Sequence, residues 1–140
     1  MIRRLFVRAA ATAVYLMPSL ALAQDWALDG MDPVAYQHDG AARAGRQDIV
    51  TLWHGKSWHF VSEESRASFE ADPHAYAPGL GGRCVVALSE GRAEPGNPRY
   101  FVVIHNRTYL TQSAAARSRL LNNPNAILRA AETAFSKMPR

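Results

Sequence analysis

Cysteine is nearly missing from this chain: Cys84 is the only one. A lone thiol closes no disulfide within its own chain, so the fold must rest on packing, not on covalent staples. Clustered charge of one sign is scarce as well. Lys and Arg number 16 against 12 Asp and Glu, but Arg3, Arg4 and Arg8 stand at the extreme N-terminus and the remainder nearly balances. A nucleic-acid binder gathers its cations on one face, and nothing here does, so no nucleic-acid partner is expected. No strand–glycine-rich loop–helix phosphate motif is present, and no carboxylate pair stands at a spacing that marks acid–base chemistry. Long apolar runs are absent beyond residue 23, and the one before it, "AAATAVYLMPSLALA", is shorter than the roughly 20 residues of a membrane span.

That first segment has another reading. "MIRRLFVR" is a positive region, the apolar run follows, and Ala21-Leu22-Ala23 matches the small-x-small pattern of a signal-peptide cleavage site. Pro18 suits a signal peptide better than a retained anchor. The expected organisation is a signal peptide over 1–23 and a mature domain over 24–140, periplasmic or secreted, with no stable membrane span after cleavage. In an oxidising compartment an unpaired cysteine needs a reason. Cys84 is an inert buried side chain, a metal ligand, a reactive thiol, or half of a bridge to another molecule.

The local pattern predicts a small α+β domain. Asp32-Pro33 marks a turn, because the residue before proline leaves the helical region, and Val34 to Tyr36 read as a short strand. "DIVTLWHGKSWHFVS" predicts a β-hairpin around His54-Gly55-Lys56, since both arms are rich in β-branched and aromatic residues. Ser62 then caps a helix with Glu63 and Glu64 in its first turn, Phe69 as core anchor, and Asp72-Pro73 as its end. "RCVVALSE" favours a short helix closed by Gly91. "YFVVIHNRTYL" predicts a second hairpin with Asn106 in its turn. It echoes the first, though so short a pattern does not establish a repeat. Two helices finish the chain, the second capped by Asn123 with Pro124 at its first position; Ile127, Ala131, Ala134, Phe135 and Met138 give it a packing face. The expected architecture is two hairpins, a short helix after the first, and C-terminal helices packed on the sheet. Trp53, Trp58, Phe60, Phe69 and Tyr76 are the expected aromatic core.

Several stretches, "DGMDPVAYQHDG", "WHGKSWHFVSEESRASFEADPHAYAPGLGGRC" and "SEGRAEPGNP", resemble in that order the exported YHS-domain proteins of bacteria. The likeness runs from about Leu28 to Leu110 and is most specific between Trp53 and Cys84. The wider family includes small metal-binding modules. Their cysteines follow Asp-Pro-Val, follow the Phe of the hairpin strand, and recur four residues later. Here those places hold Ala35, Val61 and Ser65, so the resemblance implies the scaffold without its three thiolates. The exported branch keeps the Gly-Gly-x-Cys cysteine, here Cys84 behind Arg83.

Soft thiolate and imidazole together suit copper or zinc. His59 on a strand and His74 after Asp-Pro are the histidines that folding could bring to Cys84, whereas His38, His54 and His105 fall in turns. The expectation is a non-enzymatic binding protein on a YHS-like scaffold that holds a copper or zinc ion through Cys84, with His59 and His74. Two alternatives stay open: a metal-free scaffold or protein-interaction domain with Cys84 buried, and a thiol-dependent enzyme, for which a positioned base would be required.

Overall fold

Proline and a short acceptor side chain decide the first turn. Pro33 fixes its own φ, and Asp32 Oδ1 accepts the amides of Val34 at 2.8 Å and Ala35 at 3.4 Å. Those bonds start a helix, α1 (Ala35–His38), where the sequence reads as a short strand. The computed structural model describes residues 25–140, so the signal peptide assigned to 1–23 lies outside the described residues. Beyond α1 the chain forms an antiparallel hairpin, β1 (Arg46–Trp53) and β2 (Lys56–Phe60), then α2 (Glu63–Ala71) and α3 (Pro73–Tyr76). It then forms α4 (Val85–Ser89), a second hairpin of β3 (Asn97–Ile104) and β4 (Arg107–Thr111), and finally α5 (Ala114–Asn122) and α6 (Pro124–Ser136). The class is α+β, with two hairpins that form separate two-stranded sheets and with C-terminal helices packed on the second.

The echo between the hairpins is one part of a full repeat. Each half opens with a tight turn that contains left-handed residues, Ala27–Gly30 or Gly79–Gly82, and continues helix, strand, strand, helix, helix. The agreement reaches single hydrogen bonds. Gly45 N donates to Gly30 O as Gly96 N donates to Gly82 O, and Asp32 N to Arg43 O as Cys84 N to Glu94 O. Each hairpin carries the same bulge: Arg46 faces Phe60 and Val50 faces His59, while Asn97 faces Thr111 and Phe101 faces Leu110. Each connecting loop has two residues with positive φ, His54-Gly55 and His105-Asn106, which is the arrangement whose twist matches the flanking strands. Ser62 and Ser113 cap α2 and α5 through the amides of Ser65 and Ala116, both at 3.1 Å.

Two further expectations change in detail. Asp72-Pro73 ends α2 but also begins α3, since the Asp72 carboxylate accepts from Ala75 N and Pro73 occupies the first position. Asn123 precedes α6 without a side-chain capping bond. The C-terminal helices α5 and α6 occupy the places of α2 and α3, so they complete the second unit.

Each unit has its own core. Ile49, Trp58, Phe60 and Phe69 fill the first, with Trp53 and Tyr76 partly buried against them. Val85 to Leu88, Val102, Tyr109, Leu120, Leu128 and Ala131 fill the second, with Ile127 and Met138 alongside; of the face expected on α6, Phe135 is exposed. Phe69 and Leu120 hold equivalent helix positions and are both wholly buried, each stabilising the fold by about 1.5–3 kcal/mol. Tyr36 joins the units. Its ring lies 4.6 Å from that of Phe101, and its hydroxyl donates to Pro98 O at 2.8 Å.

Candidate functional site

A buried polar cluster surrounds Asp32, which is fully inaccessible to solvent. Its Oδ1 takes the two α1 amides, and its Oδ2 accepts from Val61 N at 2.9 Å and Ser65 Oγ at 2.5 Å. One carboxylate therefore ties together the start of α1, the end of β2 and the first turn of α2. A buried carboxylate without a cation is tolerable only when donors surround it. Burial and the charges of Asp29 and Asp32 push the Tyr36 phenol well above the usual tyrosine range.

Ala35, Val61 and Ser65, the three positions where the resemblance places thiolates, thus meet around a single carboxylate. They also line a cleft of about 350 Å³ between α1 and α2, with His38, Asp39 and Glu64 among its other walls. The cleft offers little reactive chemistry. Ser65 Oγ donates its hydrogen bond to Asp32, Ser68 Oγ donates to Glu64 O, and Ser62 Oγ caps α2. His38 Nε2 faces the Tyr76 hydroxyl at 3.3 Å. Among the described residues no serine hydroxyl is hydrogen-bonded to an imidazole, the arrangement that activates a serine nucleophile. Sequence reasoning treated Asp32 only as a turn residue and missed this role. The available signal was the echo between the two halves, which sets Asp32 opposite Cys84.

Cys84 performs the matching task in the second unit. It too is fully buried, within an apolar cluster, and its Sγ accepts from Gln112 N at 3.3 Å and Ala87 N at 3.5 Å. Those amides correspond to Val61 N and Ala35 N in the first unit. At the place of Ser65 stands Ala116, which has no hydroxyl to give. The sulfur is a framework acceptor: it caps α4 and anchors the strand end before α5.

The other two expected ligands lie elsewhere. His59 is 3% exposed; its Nδ1 is 3.3 Å from Arg46 O, its Nε2 has no hydrogen-bond partner, and its ring packs 4.3 Å from that of Trp26. His74 is exposed on α3, its ring 5.2 Å from Trp53 and 5.9 Å from His54. The expected set of Cys84, His59 and His74 is therefore not assembled. Among the described residues no group of three or more His, Cys, Asp or Glu is placed to hold a metal ion. Copper or zinc bound in the usual way needs about four donors, three of them from protein at an open site, and the surroundings of Cys84 supply backbone amides, which are donors of hydrogen bonds and not of lone pairs. The residues around Cys84 do not fit the ion. Among the described residues no helix is long and apolar enough to cross a membrane. Comparison with family models, with curated proteins and with solved structures finds no match to this chain.

Proposed function

We propose that the chain is a non-enzymatic scaffold or protein-interaction domain that works outside the cytoplasm, built on a YHS-like unit whose thiolate cage has given way to hydrogen bonds. Cys84 in this reading is a packing and capping residue and does not carry the chemistry. One observation supports it above the rest: the Cys84 sulfur is enclosed by two backbone amides at the position where the first unit uses Asp32. The convergence of Ala35, Val61 and Ser65 on one cleft supports the scaffold assignment. Export rests on the signal-like N-terminus.

Two measurements test it. The folded protein is treated with a small thiol reagent, and Cys84 is expected to react only after denaturation. Co²⁺ titrations then compare wild type, Cys84→Ser and a triple variant carrying Ala35→Cys, Val61→Cys and Ser65→Cys, with the thiolate-to-cobalt absorption band as readout. The band is expected in the triple variant alone. A thiolate band in wild type that disappears in Cys84→Ser overturns the reading.

A further inference from the structure

The two units differ at the tip of the first hairpin, where exposed chemistry-bearing side chains meet. His54 holds the left-handed position of the first hairpin loop, φ 50°, and His105 holds the same position in the second, φ 49°. Around His105 the equivalents are plain: Ile104 precedes it, and Asn125 stands in α6 where α3 has His74. Around His54 they are not. Its ring stacks on Trp53 with centroids 3.8 Å apart and planes at 32°. The same indole meets the His74 ring edge-on at 5.2 Å, and the two imidazoles lie at right angles, 5.9 Å apart. Both histidines are exposed, while Trp53 is half-buried against the aromatic core.

We propose that His54 and His74 form a two-imidazole surface site for a divalent transition-metal ion of the copper or zinc type. Imidazole suits such ions. Metal–nitrogen bonds of about 2.0–2.1 Å place two rings bridged by one ion with centroids about 5–6.5 Å apart, and the observed spacing falls inside that range. Trp53 holds both rings at once, which reduces the rotamer freedom lost on coordination. Two imidazoles are one short of the three protein ligands of an open zinc site, so the third donor comes from another molecule or from water, and binding is correspondingly weaker than at an enclosed centre. The site is independent of Cys84, so it stands or falls separately from the scaffold reading.

The experiment is a Cu²⁺ titration of the full chain, followed by tryptophan fluorescence and by line broadening of the histidine ring protons. His54→Gly removes one imidazole and suits the backbone, since positive φ favours glycine; His74→Ala removes the other from an exposed helix position. Wild type is expected to bind one equivalent with quenching of Trp53 and selective broadening of His54 and His74. Each variant is expected to weaken that binding at least tenfold, while His105→Gly and Cys84→Ser titrate as wild type. Circular dichroism checks that the fold is retained. Unchanged titration in both His54→Gly and His74→Ala, or an equal loss in His105→Gly, overturns the proposal.

Discussion

Asp32 and Cys84 solve one structural problem with different chemistry. In each unit a side chain at the start of a short helix must bind that helix to the end of a hairpin strand. The first unit uses a carboxylate with four donors, one of them the Ser65 hydroxyl. The second uses a thiol with two amide donors and places Ala116 where the hydroxyl would be. The exchange is coordinated: an acidic acceptor goes with a donor side chain, and a sulfur acceptor goes with a methyl group. The lone cysteine thereby has a framework role as the acceptor of two buried amides. Polar and apolar versions of one joint have been carried in the same chain.

The largest expected effects come from breaking that joint. Asp32→Ala leaves Val34, Ala35 and Val61 amides and the Ser65 hydroxyl without their acceptor, and unmade buried bonds cost about 1–3 kcal/mol each before water enters. A loss of roughly 3–5 kcal/mol is expected in urea denaturation. Cys84→Ala removes a weaker acceptor and one small volume, for a loss of about 1–2 kcal/mol. Cys84→Asp alone buries a carboxylate with too few donors and should destabilise. Adding Ala116→Ser restores the first unit's pairing and should recover part of the loss, with a coupling of about 1 kcal/mol in a double-mutant cycle. Equal losses in Asp32→Ala and Cys84→Ala, together with no coupling between positions 84 and 116, would break the proposed equivalence.

Effects smaller than that of Asp32→Ala, though comparable with that of Cys84→Ala, are expected where the halves agree. Each hairpin is entered through a glycine whose absent Cβ leaves room for the partner strand. A methyl group at Gly45 would collide with the backbone of His59 and Phe60, and one at Gly96 with Leu110 Cβ and Gly82 O. Gly45→Ala and Gly96→Ala should each cost about 1–3 kcal/mol. Gly91 provides a contrast: a Cβ there meets open space, but its φ is +79°, so Gly91→Ala should cost only about 1 kcal/mol. The check is chemical denaturation of all three variants. If Gly45→Ala and Gly96→Ala cost no more than Gly91→Ala, close approach is not what those two glycines provide.

Much of this fold is written locally. Alternating aromatic and β-branched residues reveal both hairpins, Ser62 marks a helix start through its own side chain, and Gly91 marks a helix end through its backbone freedom. α1 was hidden because Val34 to Tyr36 is too short for periodicity to speak, and because its decisive bond comes from the neighbouring Asp32 carboxylate. The repeat was hidden for another reason. Hydrophobic positions are kept between the halves, but residue types are exchanged, as in Phe69 for Leu120, Trp53 for Ile104 and Asp32 for Cys84. The candidate ligands were the least legible. His59, His74 and Cys84 are distributed among a strand face, a helix surface and a second core, and that distribution depends on long-range packing that spacing does not encode.

The subtlest asymmetry is at the seam between the units. Tyr36 and Leu88 hold the same position in α1 and α4, both without solvent exposure, yet only Tyr36 carries a hydroxyl, which it gives to Pro98 of the other unit. Burial first, and then the charges of Asp29 and Asp32, raise its pKa above that of an unfolded tyrosine. The unfolded chain therefore loses this proton first as the solution becomes alkaline. The tyrosine's contribution is fully present below about pH 10 and falls above it, by up to about 1.4 kcal/mol per pH unit until the folded group itself ionises. Tyr36→Phe removes one buried hydrogen bond and should lower stability by about 1 kcal/mol at neutral pH. It should also flatten the alkaline loss, so that the wild-type and variant curves approach each other and then cross as pH rises past 10. Parallel curves through that range would show that the hydroxyl is not sealed between the units.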